Sequence, residues 1–183
     1  MYGKARQKRT ISVDARRLPY LAGKLHRITK RGFTMIRIAI VEDDTGYRSQ
    51  LGKYIDQYQS DFSETVSVSE FSDGLEIVEK YKSEYDIILM DIQMKHMDGM
   101  QAAMRIRDMD KNVIIIFITN SAQFAVQGYK VEALDYVLKP IQYFAFSQVL
   151  HNAVKKVHGK SKFYIHLIPV SYTHLRAHET LSD

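Results

Sequence analysis

From Met35 onward the chain alternates between two hydrophobic rhythms. "MIRIAIV" (35–41) is apolar and β-branched, which predicts a strand. "TGYRSQLGKYIDQYQ" (45–59) then sets Tyr47, Leu51, Tyr54 and Ile55 on one helical face. "TVSVSEF" (65–71) alternates strictly, as a half-exposed strand does, and "DGLEIVEKYKSEY" (73–85) returns to helical spacing. "DIILM" (86–90) predicts a buried strand, and "DGMQAAMRIRDMD" (98–110) a third helix. "VIIIFI" (113–118) predicts a second buried strand, followed by a short helix in "SAQFAVQGYKV" (121–131). "ALDYVLKP" (133–140) predicts a strand ended by Pro140, and "YFAFSQVLHNAVKKV" (143–157) a last helix.

A strand followed by a helix, five times over, predicts an α/β fold with a parallel sheet covered by helices on both faces. The continuous apolar runs at 86–90 and 113–118 suit central strands, and the alternating 65–71 suits an edge. No internal repeat or low-complexity segment interrupts the pattern.

Composition removes several classes of function. There is no cysteine, which excludes disulfides and thiolate metal sites and makes the cytoplasm the expected compartment. "VIIIFI" is far shorter than the roughly 20 residues that span a bilayer, so no membrane partner is expected. The N-terminus lacks the long apolar core of a secretory signal. The net charge of +5 suggests nucleic acid, but its distribution changes that reading. Residues 1–34 hold ten lysines and arginines against Asp14 alone, while in the remainder twenty acids outnumber sixteen bases.

In an open parallel sheet the site lies at the carboxyl ends of the strands. Glu42, Asp43 and Asp44 follow the first predicted strand, Asp91 the third, Thr119 the fourth and Lys139 the fifth. Clustered carboxylates repel one another unless a cation joins them, and hard oxygen donors without His or Cys favour Mg²⁺. A carboxylate beside Mg²⁺ can attack a phosphoryl group, whose oxygens an ammonium and a hydroxyl can then neutralise. Asp91 is the best nucleophile candidate. Taken singly these residues have plainer readings: a solvated, helix-capping strand end at 42–44, a turn cap at Asp91, a strand end at Thr119, a surface lysine at 139.

"IAIVEDD", "ILMDIQMKHMDG", "FITN" and "DYVLKP", in that order, make residues 35–158 closely resemble the receiver domain of two-component response regulators. The resemblance implies a CheY-like, flavodoxin-like three-layer (βα)₅ fold with strand order 2-1-3-4-5. It implies Asp91 as phosphoacceptor for a sensor histidine kinase, and Mg²⁺ held by Asp43, Asp91 and the Gln93 backbone carbonyl, with Glu42 reaching it through water. Thr119 and Lys139 would read the phosphoryl group, and Tyr136 would be the rotating aromatic switch, although plain packing is its alternative. Asp44 matches a position outside the metal pair. "FITNSAQFAVQGYKVEALDYVLKPI" is most similar to the subgroup with a LytTR DNA-binding output domain. The implied readout is a rearranged surface over residues 119–158, a face through which such domains often form homodimers; DNA would be bound only through the output domain. Two positions depart from the family. Lys95 stands where a loop-stiffening proline is usual, and Asn120 where a smaller residue is common.

Two rival functions are an Asp-nucleophile phosphohydrolase, which typically needs a second acid where Gln93 stands, and an interaction module independent of phosphorylation. Met90, Met94, Met97, Met100 and Met104 read as gap-filling core and loop residues. His96, His151, His158 and His166 are scattered and read as surface residues.

The two ends carry their own expectations. "KRGFTM" can be encoded with a ribosome-binding-like AGGGG before the Met35 codon, so residues 1–34 are expected to be a basic extension translated from upstream sequence. Residues 159–168 are expected to be a linker or the start of a lost output domain. Val170–Thr180 can be written as the codons of a sequencing-library adaptor, so 169–183 reads as an artefact. That reading also removes His174 and His178, a helically spaced pair, from the candidate metal ligands.

Overall fold

A computed structural model describes residues 35–124 and 131–165 of the chain. The expectations for residues 1–34, for the tail from 166 and for the helix across 125–130 lie outside the described residues. His166, His174 and His178 lie outside them too.

Five strands form one parallel sheet in the order β2-β1-β3-β4-β5, as the resemblance implied. They are β1 (Ile36–Val41), β2 (Val66–Phe71), β3 (Ile87–Met90), β4 (Ile114–Thr119) and β5 (Asp135–Leu138). The described α-helices are α1 (Thr45–Phe62), α2 (Gly74–Lys80), α3 (Gly99–Met109) and α4 (Tyr143–Ile165), with a 3₁₀ turn at Ala122–Phe124. Alternating Val66–Phe71 is an edge, and the fully buried β3 and β4 lie inside.

Alternation along β1 divides the core in two. Ile36, Ile38 and Ile40 point to the face covered by Leu51 and Ile55 of α1 and by Phe146, Leu150 and Val154 of α4. Ala39 and Val41 point to the opposite face, against Ile77 of α2 and Met100, Ala103 and Ile106 of α3. Each fully buried isoleucine contributes about 2–3 kcal/mol by leaving water.

Three helices differ in length from the reading of the pattern. α1 runs on to Phe62 and stops at Ser63, whose φ of 53° is left-handed. α4 runs on to Ile165, beyond the expected domain boundary. α2 ends at Lys80 rather than Tyr85, for tertiary reasons. Tyr81 turns away to donate its hydroxyl to Asp110 (3.1 Å), and Tyr85 is buried edge-on against Phe71.

Met90, Met97 and Met100 fill the core as expected, while Met104 is exposed. The three described histidines lie at or near the surface, and each has a partner. His96 pairs with Asp73, His151 with the Tyr58 hydroxyl, and His158 with Glu64.

Candidate functional site

The carboxyl ends of β1, β3 and β5 converge on one cluster of charge. β1 delivers Glu42 and Asp43 as it leaves the sheet; Glu42 is buried, and its N–H still donates to Phe71 of the neighbouring strand (3.0 Å). β3 delivers Asp91, whose N–H donates to the Val41 carbonyl (2.9 Å). Carboxylate oxygens of Glu42, Asp43 and Asp91 lie within 4.8 Å of one another. The loop after β5 brings Lys139, whose side chain is only 6% exposed. Its Nζ lies 2.6 Å from Glu42 Oε2 and 2.7 Å from Asp91 Oδ2. The Lys139–Pro140 peptide is cis.

Neighbouring groups fix each member. Asp91 Oδ1 accepts from the N–H groups of Ile92 (2.6 Å) and Gln93 (3.2 Å). Glu42 Oε1 accepts from Asp44 N–H (3.3 Å), and the Glu42 carbonyl accepts from the Arg48 guanidinium. Asp44 caps α1 by accepting from Tyr47 N–H (2.8 Å), so the capping role read for 42–44 belongs to this residue. Gly99 is required where it stands: a Cβ there would meet the Asp91 carbonyl oxygen at 1.9 Å.

Burial dominates the electrostatics. It pushes the Glu42 carboxyl above its ordinary range, against the opposing pull of the Lys139 hydrogen bond. Burial also pushes Lys139 down, but its bonds to Asp91 and Glu42 outweigh that and leave it raised. Lys139 finds two anions, whereas Glu42 shares its single cation with Asp91, which repels it. Both groups therefore sit above their ordinary values.

Thr119 ends β4 fully buried. Its carbonyl accepts from Lys139 N–H (2.9 Å), and its Oγ1 accepts from Ser121 N–H (3.4 Å). Tyr136 of β5 is half-buried; its ring lies 6.1 Å from Phe117 and its hydroxyl donates to the Ser121 carbonyl. Gln93 is exposed, and its backbone N–H is bonded to Asp91. The sequence-read residues Glu42, Asp43, Asp91 and Lys139 therefore meet directly, while Thr119 joins them through the Lys139 backbone.

Three contributors escaped the sequence. Tyr47 reads as a core face residue, yet the Lys139 ammonium sits 4.3 Å from its ring centroid and its hydroxyl accepts from Ile141 N–H (3.2 Å). Arg48 braces Glu42 and pairs with Glu70 (3.3 Å). Asp73 holds the loop after β3. Each depends on partners remote in sequence; "SDG" signalled only a helix start for Asp73.

A buried cluster of acids at the carboxyl rim of a 2-1-3-4-5 sheet, bridged by one lysine, is the architecture of a receiver. Residues 38–151 match the response regulator receiver domain, and the chain belongs to that family. It is homologous to LytTR-type regulators. The positive alginate biosynthesis regulatory protein of Pseudomonas aeruginosa is 30% identical over 121 residues, which are 66% of this chain and 46% of that protein. The sensory transduction protein LytT of Oceanobacillus iheyensis is 31% identical over 129 residues, 69% of this chain and 51% of that protein. The chain thus spans about half the length of the curated relatives it matches. Among known structures, the response regulatory domain of protein mrkE from Klebsiella pneumoniae superposes with a TM-score of 0.61 at 26% identity, covering 68% of this chain and 99% of that one. The CheX–CheY–BeF₃–Mg²⁺ complex from Borrelia burgdorferi gives 0.59 at 26% identity, covering 72% of this chain and 98% of that one. Among the described residues, no helix is long and apolar enough to cross a membrane.

Proposed function

We propose that Asp91 is the phosphoacceptor of a histidine kinase and that its phosphorylation controls a LytTR DNA-binding output domain in a longer protein. The observation that carries this reading is the ammonium of Lys139, seated between Glu42 and Asp91 at 2.6 and 2.7 Å, with Asp43 beside them. An Asp91 carboxylate oxygen attacks the phosphorus of a phosphohistidine. The P–N bond breaks, its electron pair stays on the imidazole nitrogen, which takes a proton, and an acyl phosphate forms.

The all-oxygen donor set fits Mg²⁺. Glu42, Asp43, Asp91 and the Gln93 backbone carbonyl would hold it, Glu42 through water. When bound, the ion supplies charge neutralisation to the transferring oxygens. Lys139 and the Thr119 hydroxyl bind the phosphoryl oxygens, and Tyr136 acts as the aromatic switch. The new charge of about −1.5 to −2 rearranges residues 119–158. Exposed Leu138 and Phe144 on that stretch favour pairing of two copies there.

Incubation with acetyl phosphate and Mg²⁺ tests the proposal. It expects one acid-stable, base-labile label per chain, lost in Asp91→Ala. Multiple turnover on phosphate esters would replace it with a phosphohydrolase, and absence of label with a phosphorylation-independent module.

A further inference from the structure

The loop of residues 92–98, which follows Asp91, contains no proline to stiffen it. Its order comes from another element. Asp73 is the N-cap of α2, and its Oδ1 accepts from Leu75 N–H (2.8 Å). The same carboxylate also reaches across to the loop. Oδ1 accepts from Met97 N–H (3.3 Å), and Oδ2 accepts from His96 N–H (3.0 Å) and pairs with His96 Nδ1 (3.2 Å). A helix cap needs only the first of these four contacts.

The packing beneath agrees. A Cβ on Gly74 would meet the Met97 carbonyl oxygen at 2.6 Å and the Ala102 Cβ at 3.0 Å, so α2 begins directly against the loop. Burial alone would raise the Asp73 carboxyl. The N–H groups of His96 and Leu75, the His96 ring and Met97 N–H together hold it below its ordinary value, and it bonds the loop as an anion. From Met97 the loop closes back on the site. Gly99 N–H donates to the Ile92 carbonyl (2.9 Å), and Ile92 and Gln93 donate to Asp91 Oδ1.

We infer that Asp73 is a positioning residue for the phosphoacceptor site: by clamping His96 and Met97 it sets where the Gln93 carbonyl and the N–H donors on Asp91 stand. The clamp thereby governs Mg²⁺ affinity and phosphoryl uptake. This rests on the proposed phosphoacceptor reading, which assigns Gln93 to the metal.

Asp73→Asn separates the His96 arm of the clamp from the cap, leaving Oδ1 to Leu75 and Met97. Asparagine caps as well as aspartate, but its amide places an NH₂ where Oδ2 now accepts from His96 N–H, donor against donor. Ile55→Val provides a control. It destabilises the same 183-residue chain from α1, on the opposite face of the sheet and outside residues 119–158. Three quantities are measured for each folded variant: Mg²⁺ dissociation constant by calorimetry, labelling rate with acetyl phosphate, and Tm. Asp73→Asn is expected to weaken Mg²⁺ and slow labelling by about tenfold or more, as loss of an outer-shell partner does. Ile55→Val is expected to lower Tm and leave both constants within about twofold of wild type. Asp73→Asn within that same margin overturns the inference, and so do equal losses in both variants, which would trace them to stability alone. A wild-type chain that binds Mg²⁺ but takes no label sinks the phosphoacceptor reading, while the Mg²⁺ comparison still decides the clamp. A chain that does neither overturns both.

Discussion

Gly99→Ala puts one methyl group where the backbone leaves no room. The new Cβ would lie 1.9 Å from the Asp91 carbonyl oxygen, 2.9 Å from the Asp91 carbonyl carbon and 3.0 Å from Ile92 Cα. Ordinary contact begins at 3.4 Å, so the two segments must separate by about 1.5 Å. All three obstacles are main-chain atoms, and no rotamer change relieves them. Overpacking of this kind costs about 1–3 kcal/mol. Separation also breaks the bond from Gly99 N–H to the Ile92 carbonyl, worth about 1 kcal/mol. A total of about 2–4 kcal/mol lowers Tm by roughly 7–15 °C for a domain of this size. Circular dichroism at increasing temperature measures it. Gly159→Ala in the exposed part of α4, where a Cβ meets nothing within 4 Å, changes the same atoms and should have the opposite sign. It is expected to stabilise by about 0.5–1 kcal/mol through helix propensity. A Gly99→Ala protein melting within about 2 °C of wild type would refute the steric reasoning.

Lys139→Met leaves Glu42 and Asp91 buried without their cation; in the absence of Mg²⁺ it should lower stability to urea by about 3 kcal/mol, and added Mg²⁺ should narrow the deficit. An unchanged urea midpoint would show that the bridge contributes nothing. The Asp73 carboxyl is held below its unfolded value near 3.8, so its contribution is complete above that value and fades as pH falls through the lower folded one. The Tm gap between wild type and Asp73→Asn should therefore close as pH falls below the unfolded value; a gap that stays level from about pH 5 down to about pH 2 would contradict it. Tyr136→Phe keeps the ring beside Phe117 but removes the hydroxyl donated to Ser121, and should cost about 1 kcal/mol in urea unfolding. No loss would show that this bond adds nothing in the resting state.

The layout of the sheet was legible because burial writes itself into each strand. β3 and β4 are covered on both faces and carry no polar residue before Thr119, whereas Val66–Phe71 alternates because its strand has one neighbour. The acids and the lysine were legible because each follows the end of a strand. What stayed hidden depends on long-range partners. Asp73 lies 23 residues from His96, and Tyr47 lies 94 from Ile141, so no local pattern joins them. The early end of α2 was hidden for the same reason: Tyr81 leaves the helix for Asp110, 29 residues on. Lys95 suggested a loose loop, and the clamp that orders it comes from a different helix.

Lys139 also has a mechanical consequence. It follows β5, an edge strand, yet its ammonium ends on Asp91 and Glu42, beyond β4 at the ends of β3 and β1. Its own N–H is tied to Thr119 of β4. One side chain thus works as a tether laid across four strand ends, loaded by two negative charges. A change of charge on the interior strand β3 alters the tension in that tether, and the pull is delivered to the sheet margin, where β5 has a neighbour on one side only and can yield.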